Sequence, residues 1–352
     1  MKILLVSLAG IGNTLLVTPL IELLRKRFTK EKIYVLVMLK GAKELLERNP
    51  NLDGVILWNF LKEGVVSSFR FLLNLRKENF DYSILSYPAN RLEYNVINFI
   101  VGKKERVAHR YNHLFYTNLG FLNTRLIRED DKKHDVEENV RLLSLLGIHP
   151  ESFDGPRIYL TDEDDNFAGR FFKDLNTEKK LIIGMHAGTA TFKNQMKRRW
   201  DKEKFGELGK IFVERDSAVV LIFGGKEEGE LKTFIRDSVG DGAYTVDNTS
   251  IRETSALIKR CRLFVSADSG LMHIAASFGV PCVAIFGPTN PEWVYPYGTK
   301  YMIVRKDLPC SPCFYYSQRP LRCKFGDFRC IESISVDDVL EATEKLLKET
   351  EY

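Results

Sequence analysis

The 352-residue chain predicts an α/β protein built from two doubly wound, Rossmann-like domains, and three observations lead there. Short apolar runs alternate with helix-period segments through the first half, the pattern of parallel strands joined by crossover helices. A second alternating series begins at Leu181-Ile-Ile-Gly-Met185. Within it, Leu263-Phe-Val265 leads through Ser266-Ala-Asp268-Ser269-Gly270 into apolar residues at Leu271, Ile274, Ala275 and Phe278, a strand, a sharp turn and a helix.

In the first series the strands are expected at Ile3–Leu8, Ile33–Met38, Gly54–Leu57, Tyr82–Leu85 and Arg106–Ala108. Helices are expected at Leu15–Phe28 (kinked by Pro19), Ala42–Arg48, Ser68–Lys77, Leu92–Ile100 and Val136–Leu146, the last ending at Gly147. The polar Thr161–Asp165 and the charged Asn176–Lys180 read as a transition between units. The second series continues with helix Lys202–Glu214, strand Ala218–Phe223, helix Glu227–Asp237, a short strand near Tyr244 and helix Ile251–Lys259. Strand Leu263–Val265, the helix after Gly270, strand Cys282–Phe286 and an amphipathic helix Val336–Leu347 complete it. Gly279 can close the helix in the left-handed conformation, and Pro281 forbids its continuation. The expected domains are 1–165 and 166–335, with 336–352 returning towards the first. Two such domains would leave a cleft at the C-terminal ends of their strands, where ligands of open α/β sheets bind.

Composition narrows the partner classes. The chain is 44% hydrophobic and 28% charged, as soluble globular proteins are. A net charge of +5 is too small to imply nucleic acid and favours an acidic partner: a nucleotide, a phosphorylated glycolipid or an anionic membrane face. The apolar N-terminus lacks a small-x-small cleavage pattern and runs into charged residues, so a buried first strand is expected rather than a leader. No stretch has membrane-spanning length, and a cytoplasmic protein is expected. Peripheral membrane contact would use patches such as Arg25-Lys26-Arg27-Phe28 or Lys103-Lys104-Glu105-Arg106.

The chemistry concentrates in four places. At Ser269-Gly270 a helix N-terminus offers unpaired N–H groups and the positive end of a dipole to phosphate. Asp268 and His273 flank it; a capped core helix with a satisfied histidine is the alternative reading. Ala9-Gly10-Ile11-Gly12-Asn13-Thr14 is a tight strand-to-helix turn, without the third glycine of the dinucleotide fingerprint. It leaves Asn13 either an N-cap or, at the rim of the cleft, a catalytic residue. His186-Ala-Gly188-Thr189 followed by Lys193, Lys197, Arg198 and Arg199 supplies cations for a diphosphate, or a solvated basic loop. After strand Ala218–Phe223, Glu227 can take ribose hydroxyls. Of six cysteines, Cys261 and Cys282 read as apolar fillers. Cys310, Cys313, Cys323 and Cys330 form C-x2-C-x9-C-x6-C, open to structural zinc, disulfides or free thiols.

Ser266–Pro281, followed by Phe286-Gly-Pro-Thr-Asn-Pro291 and Pro296-Tyr-Gly298, resembles the donor site of the ADP-heptose:lipopolysaccharide heptosyltransferases. The Gly10-x-Gly12 turn with Thr18-Pro19, Arg198-Arg199-Trp200 and the Cys-x-Pro-Cys tail resemble the same family, over essentially the whole chain. The resemblance implies the GT-B fold, two Rossmann-like domains facing each other across a cleft, with acceptor on the first and ADP-sugar on the second. It implies an inverting, metal-independent transfer, requiring no cofactor, of heptose onto lipopolysaccharide inner core or a related glycolipid at the inner membrane face. Donor contacts would then be Thr189, Arg198, Glu227, Asp268, Ser269, Gly270 and His273. Arg198 stands where the family has a lysine, and Ser269 where it often has threonine. Asn13 replaces the family's aspartate base, and a carboxamide cannot accept a proton at useful pH. Glu93 and His109 are the candidate substitutes. A non-catalytic nucleotide-sugar binder and a sugar-nucleotide epimerase of the same fold are the alternative functions.

Overall fold

In the computed structural model, residues 1–177, 180–316 and 320–350 are described. They form two units: Met1–Tyr159 with Tyr316, and Leu160–Tyr315 with residues 320–350.

The first unit's sheet holds β1 (Lys2–Ser7), β2 (Lys32–Val37), β3 (Gly54–Leu57), β4 (Tyr82–Leu85), β5 (Glu105–Arg110) and β6 (Arg125–Arg128) in the order β3-β2-β1-β4-β5-β6. Every pairing is parallel; Val6 of β1 faces Leu36 on one side and Leu85 on the other. The second unit's sheet holds β7 (Ile182–His186), β8 (Val219–Ile222), β9 (Ala243–Thr245), β10 (Leu263–Ala267), β11 (Cys282–Ile285) and β12 (Tyr301–Val304), ordered β12-β11-β10-β7-β8-β9. It too is wholly parallel. Counted within its own series, each sheet runs 3-2-1-4-5-6, the doubly wound order. The expected fold class is therefore found in both halves.

Central strands explain why the apolar runs were easy to read. β1, β7, β10 and β11 are almost entirely buried, as strands covered on both faces must be. The edges were harder. β6, Arg-Leu-Ile-Arg, and β12, Tyr-Met-Ile-Val, were not expected, because half-buried edge strands carry short and weakly apolar runs.

Four expectations change. The helix expected over Leu15–Phe28 is two helices, Ile11–Leu15 and Thr18–Arg27, with Pro19 in the first turn of the second, where its missing N–H costs nothing. Val136–Leu146 is an α-helix, Asp135–Arg141, tightening into a 3₁₀ turn over Leu142–Leu146 before Gly147 at φ +74°. Thr161–Asp165 is no linker: Thr161 and Asp164 form a capping box that starts helix Asp162–Asp174. That helix packs on helix Ile251–Ile258, with Arg252 3.3 Å from Asp164, so the second unit begins at Leu160 rather than 166. Of Asn176–Lys180, Glu178 and Lys179 lie outside the described residues. The C-terminal helix, Val336–Thr350, packs on β11, β12 and helix Lys202–Asp216 of the second unit. Its inward stripe is Val336, Val339, Ala342 and Leu346.

Candidate functional site

In an open α/β sheet the ligand crevice lies beyond the strand C-termini where strand order reverses. In the second unit that is the pair β7 and β10, which lead into His186-Ala-Gly-Thr189 and Asp268-Ser-Gly270. The helix after β10 begins at Gly270 and runs to Ser277. Ser269 is its N-cap residue, yet its side chain makes no capping hydrogen bond. Instead Ser269 Oγ lies 2.8 Å from His186 Nδ1 and 3.0 Å from Ser266 Oγ. The cap hydroxyl that would occupy the helix terminus is turned aside, leaving the terminal N–H groups of Gly270 and its successors for an anion.

Charged side chains ring this turn. Arg198 Nη1 donates to Asp268 Oδ2 at 2.8 Å and to Thr289 Oγ1 at 3.3 Å, and its guanidinium lies 5.5 Å from the Phe314 ring centroid. The pair is only 14% and 9% exposed. Arg199 Nη2 donates to Glu228 Oε1 at 3.3 Å and to the Thr189 carbonyl at 2.9 Å. Glu228 Oε2 accepts from Gly225 N–H and lies 3.2 Å from His186 Nε2. Burial opposes ionisation of Glu228, but His186, the Gly225 N–H and Arg199 outweigh it and hold the carboxyl below its usual range. Gly188 has no room for a side chain, since a Cβ would stand 1.7 Å from Glu228 Oε1. Arg198 Nε, Arg199 Nε and His273 Nδ1 are buried without hydrogen-bond partners among the described residues. Burial lowers the His273 pKa to about 4 against the opposing pull of Asp268, so the ring is neutral at pH 7. Buried polar groups are ordinarily hydrogen-bonded, so these three nitrogens mark the cluster out from the surrounding core.

Of the sequence candidates, Arg198, Asp268, Ser269 and Gly270 gather at this turn. His273 is buried one turn along the helix. Thr189 is buried and donates its hydroxyl to the Gln195 carbonyl, so it shapes the loop. Glu227 is exposed, while the adjacent Glu228 is in the cluster. The Gly225-x-x-Glu228 capping spacing, with Glu228 accepting from the Gly225 N–H, was the signal that distinguishes them. His186 and Thr289 were not singled out, although β7 ends on His186 at the order reversal.

The first unit's equivalent position is neutral at its rim. Asn13 is not an N-cap; Gly10 holds that place and Asn13 is third in helix Ile11–Leu15. Its Nδ2 lies 3.5 Å from Asp135 Oδ2, which also accepts from the Tyr316 hydroxyl at 3.0 Å. Asp135 is fully buried and opens helix Asp135–Arg141, where the dipole favours a carboxylate. Asn139 pins the loop after β4, accepting from Tyr87 N–H at 2.9 Å and donating to its carbonyl at 3.1 Å. Neither substitute base expected from sequence stands beside Asn13. His109 is sealed in the core with Nε2 2.7 Å from Glu138 Oε2 and its pKa pushed down by burial. Glu93 is exposed in the first turn of helix Leu92–Val101.

Cys310, Cys313, Cys323 and Cys330 are free thiols, and among the described residues no three His, Cys, Asp or Glu side chains converge as metal ligands. Cys323 alone has its pKa lowered, chiefly by backbone N–H groups of Phe328 and its neighbours, while burial pushes Cys330 up to about 11. Cys261 and Cys282 are buried as expected.

Comparison with known proteins agrees with this layout. The profile described as "Glycosyltransferase family 9 (heptosyltransferase)" matches residues 68–323. The lipooligosaccharide heptosyltransferase 2 of Haemophilus ducreyi is 27% identical over 318 residues, covering 87% of this chain and 88% of the relative. That of Campylobacter jejuni is 27% identical over 99% of both chains. Among solved structures, a family 9 glycosyl transferase from Veillonella parvula superposes with a TM-score of 0.81 at 24% identity, covering 99% of this chain and 98% of that one. The Escherichia coli ADP-heptose LPS heptosyltransferase II superposes at 0.75 with 19% identity over all of both chains. With the two doubly wound units, these place the fold as GT-B and the activity as glycosyl transfer. The chain belongs to glycosyltransferase family 9, the heptosyltransferases.

Proposed function

We propose that the protein moves a heptose, or a related sugar, from an ADP-linked donor to a lipopolysaccharide inner-core or related glycolipid acceptor, with inversion at the anomeric carbon. The observation that carries this reading is the uncapped helix N-terminus at Gly270 with Arg198 beside it. A diphosphate seated there meets N–H donors, a dipole and a guanidinium, which together stabilise charge as it develops on the leaving group. Glu228, rather than Glu227, is the carboxylate for the ribose hydroxyls, and His186 and Ser269 hold the turn that presents it. The names of the relatives, lipooligosaccharide and lipopolysaccharide heptosyltransferases, support the choice of sugar and acceptor.

In the transfer, the acceptor hydroxyl attacks C1 from the face opposite the phosphate. Its O–H bond breaks as the O–C1 bond forms, and the C1–O bond to the diphosphate breaks with its electron pair leaving on ADP. Asn13 orients the acceptor but cannot take its proton. Asp135 is the carboxylate this unit supplies behind Asn13. The Tyr316 hydroxyl takes up the acceptor's proton while passing its own to Asp135 Oδ2.

Calorimetric titration with ADP tests the donor site. Native protein should bind, and Asp268→Ala, which strips Arg198 of its carboxylate partner, should change the affinity about tenfold or more. Equal affinity in the two proteins would count against a diphosphate at this turn.

A further inference from the structure

Helix Val65–Arg76 is apolar on two faces. Ser68, Leu72 and Leu75 turn inward, and Phe71 stacks on Trp58 with ring centroids 4.2 Å apart. A helix that only covers a sheet should be polar on its other side. Here that side carries Val65 at 87%, Val66 at 66%, Phe69 at 50% and Leu73 at 42% exposure, with Leu61 at 80% in the turn before it. Val65, Phe69 and Leu73 are spaced i, i+4, i+8 and form one stripe with Val66 alongside. Arg76 Nη1 donates to the carbonyls of Phe99 and Ile100 and ties this helix to the next. Of the other exposed aromatics, Phe192 and Phe325 stand apart in sequence and Tyr116 and Phe121 make a pair, whereas five exposed apolar residues fall between Leu61 and Leu73. A contiguous exposed patch of this kind marks an interaction surface.

The charge says what covers it. Residues 61–77 carry Lys62, Arg70, Arg76 and Lys77 against Glu63, a net +3 (four cations less one anion) out of +5 for the whole chain. A second copy of the chain would set this basic patch against itself. An anionic bilayer surface meets both properties, taking the apolar stripe into the headgroup boundary and pairing the cations with lipid phosphate. We infer that helix Val65–Arg76, with Leu61, is the face by which the first unit docks on a membrane containing anionic lipid. This rests on the glycolipid reading above, and it relocates the contact expected from sequence. The basic patches named there are engaged elsewhere. Arg25 pairs with Asp53 and donates to the carbonyls of Phe28, Glu31 and Asn51. Lys26 pairs with Glu22 and Lys104 with Asp81, and Arg106 donates to the carbonyls of Leu122 and Gly102.

Full-length protein is cosedimented with phosphatidylcholine vesicles and with vesicles of phosphatidylcholine plus phosphatidylglycerol, alongside calorimetry with ADP and sedimentation equilibrium without lipid. Native protein should partition onto the anionic vesicles. The triple variant Val65→Asp/Phe69→Asp/Leu73→Asp should lose about tenfold or more of that partition. Lys62→Glu/Arg70→Glu should abolish the preference for phosphatidylglycerol. Because every substituted side chain is exposed, ADP affinity should be unchanged in both variants, and loss of ADP binding in native protein would fault the donor reading without touching this one. Absence of native partition, or equal partition of native and triple variant, overturns the proposal. So does a native dimer that the triple variant dissolves, which would make a second copy the occupant.

Discussion

The two units wind their strands in the same order, yet the turns beyond the two order reversals are built from opposite chemistry. After β7, β8 and β10 the sequence delivers Arg198, Arg199, Glu228 and Asp268, with His186 at the end of β7; Arg198 pairs with Asp268 at 2.8 Å and Arg199 with Glu228 at 3.3 Å, and His186 lies 3.2 Å from Glu228. After β1 and β4 it delivers Asn13 and Asn90, while Asn139 of helix Asp135–Arg141 holds the Tyr87 backbone; Asn90, Asn95, Asn98, Asn118 and Asn123, from the segments after β4 and β5, are bonded in series. The difference teaches that strand order sets where a ligand binds and the loops set what it is. An ionic turn suits a charged nucleotide. A neutral rim with one carboxylate behind it suits an uncharged sugar hydroxyl, which must be oriented and relieved of a proton. Substitutions that move charge between the two turns are the sharpest way to break that comparison.

The largest effect is expected at Asp135. Asp135→Asn should lower kcat about 10²–10⁴-fold, the usual cost of losing a general base, with ADP affinity unchanged because no donor contact is touched. Adding Asn13→Asp to that variant returns a carboxylate 3.5 Å from where it was removed and should recover much of the rate. Tyr316→Phe, which cuts the proposed proton path, should lower kcat. A radiolabelled sugar-transfer assay reads all three. Full activity in Asp135→Asn would remove the carboxylate from the mechanism.

Asp135 also marks the limit of what the sequence disclosed. The doubly wound fold was legible because buried parallel strands are long apolar runs, and the donor turn because Asp268, Ser269, Gly270 and His273 are contiguous. Asp135 is 122 residues from Asn13, and only the packing of helix Asp135–Arg141 on helix Thr18–Arg27, which follows the Asn13 turn, brings them together. His186 was equally hidden, since a histidine ending an apolar strand looks like core until Ser269 and Glu228 appear at its two nitrogens. Glu227 and Glu228 were adjacent and chemically identical, so only the local cap geometry could separate them.

A smaller contrast lies in two of the buried histidines. His109 is held against Glu138, whereas His273 has Asp268 as its only opposing charge. Burial sets the His273 pKa at about 4, below the ordinary 6.5. Between those values the unfolded chain takes up a proton that the folded chain refuses, so stability falls as pH drops from 6.5 to 4 and is unaffected above it. Over that window the loss is about 3 kcal/mol. His273→Gln should therefore flatten the acid limb of the melting-temperature curve. If a diphosphate seats at Gly270 beside it, saturating ADP should raise the His273 pKa in an NMR titration, leaving His109 where it was. An unmoved His273 would separate the histidine from the ligand site.

The smallest expected effect belongs to the carboxamide scaffold and tests whether the turns are energetically separate. Asn98 Nδ2 donates to Asn123 Oδ1 at 2.7 Å, and Asn123 Nδ2 donates to Asn95 Oδ1 at 2.7 Å, all three side chains being buried. Asn123→Ala leaves the Asn98 amide without its acceptor and Asn95 without its donor, which should cost about 1–3 kcal/mol in urea unfolding. The double variant Asn98→Ala/Asn123→Ala removes both ends of one bond and should cost less than the two single losses added. ADP affinity should not change in any of them, because a loosened loop in the first unit takes no donor or acceptor from the Gly270 turn. A parallel loss of ADP binding would instead mean that the carboxamide scaffold and the ionic turn act as one site, and the contrast between the two would then be of residues only.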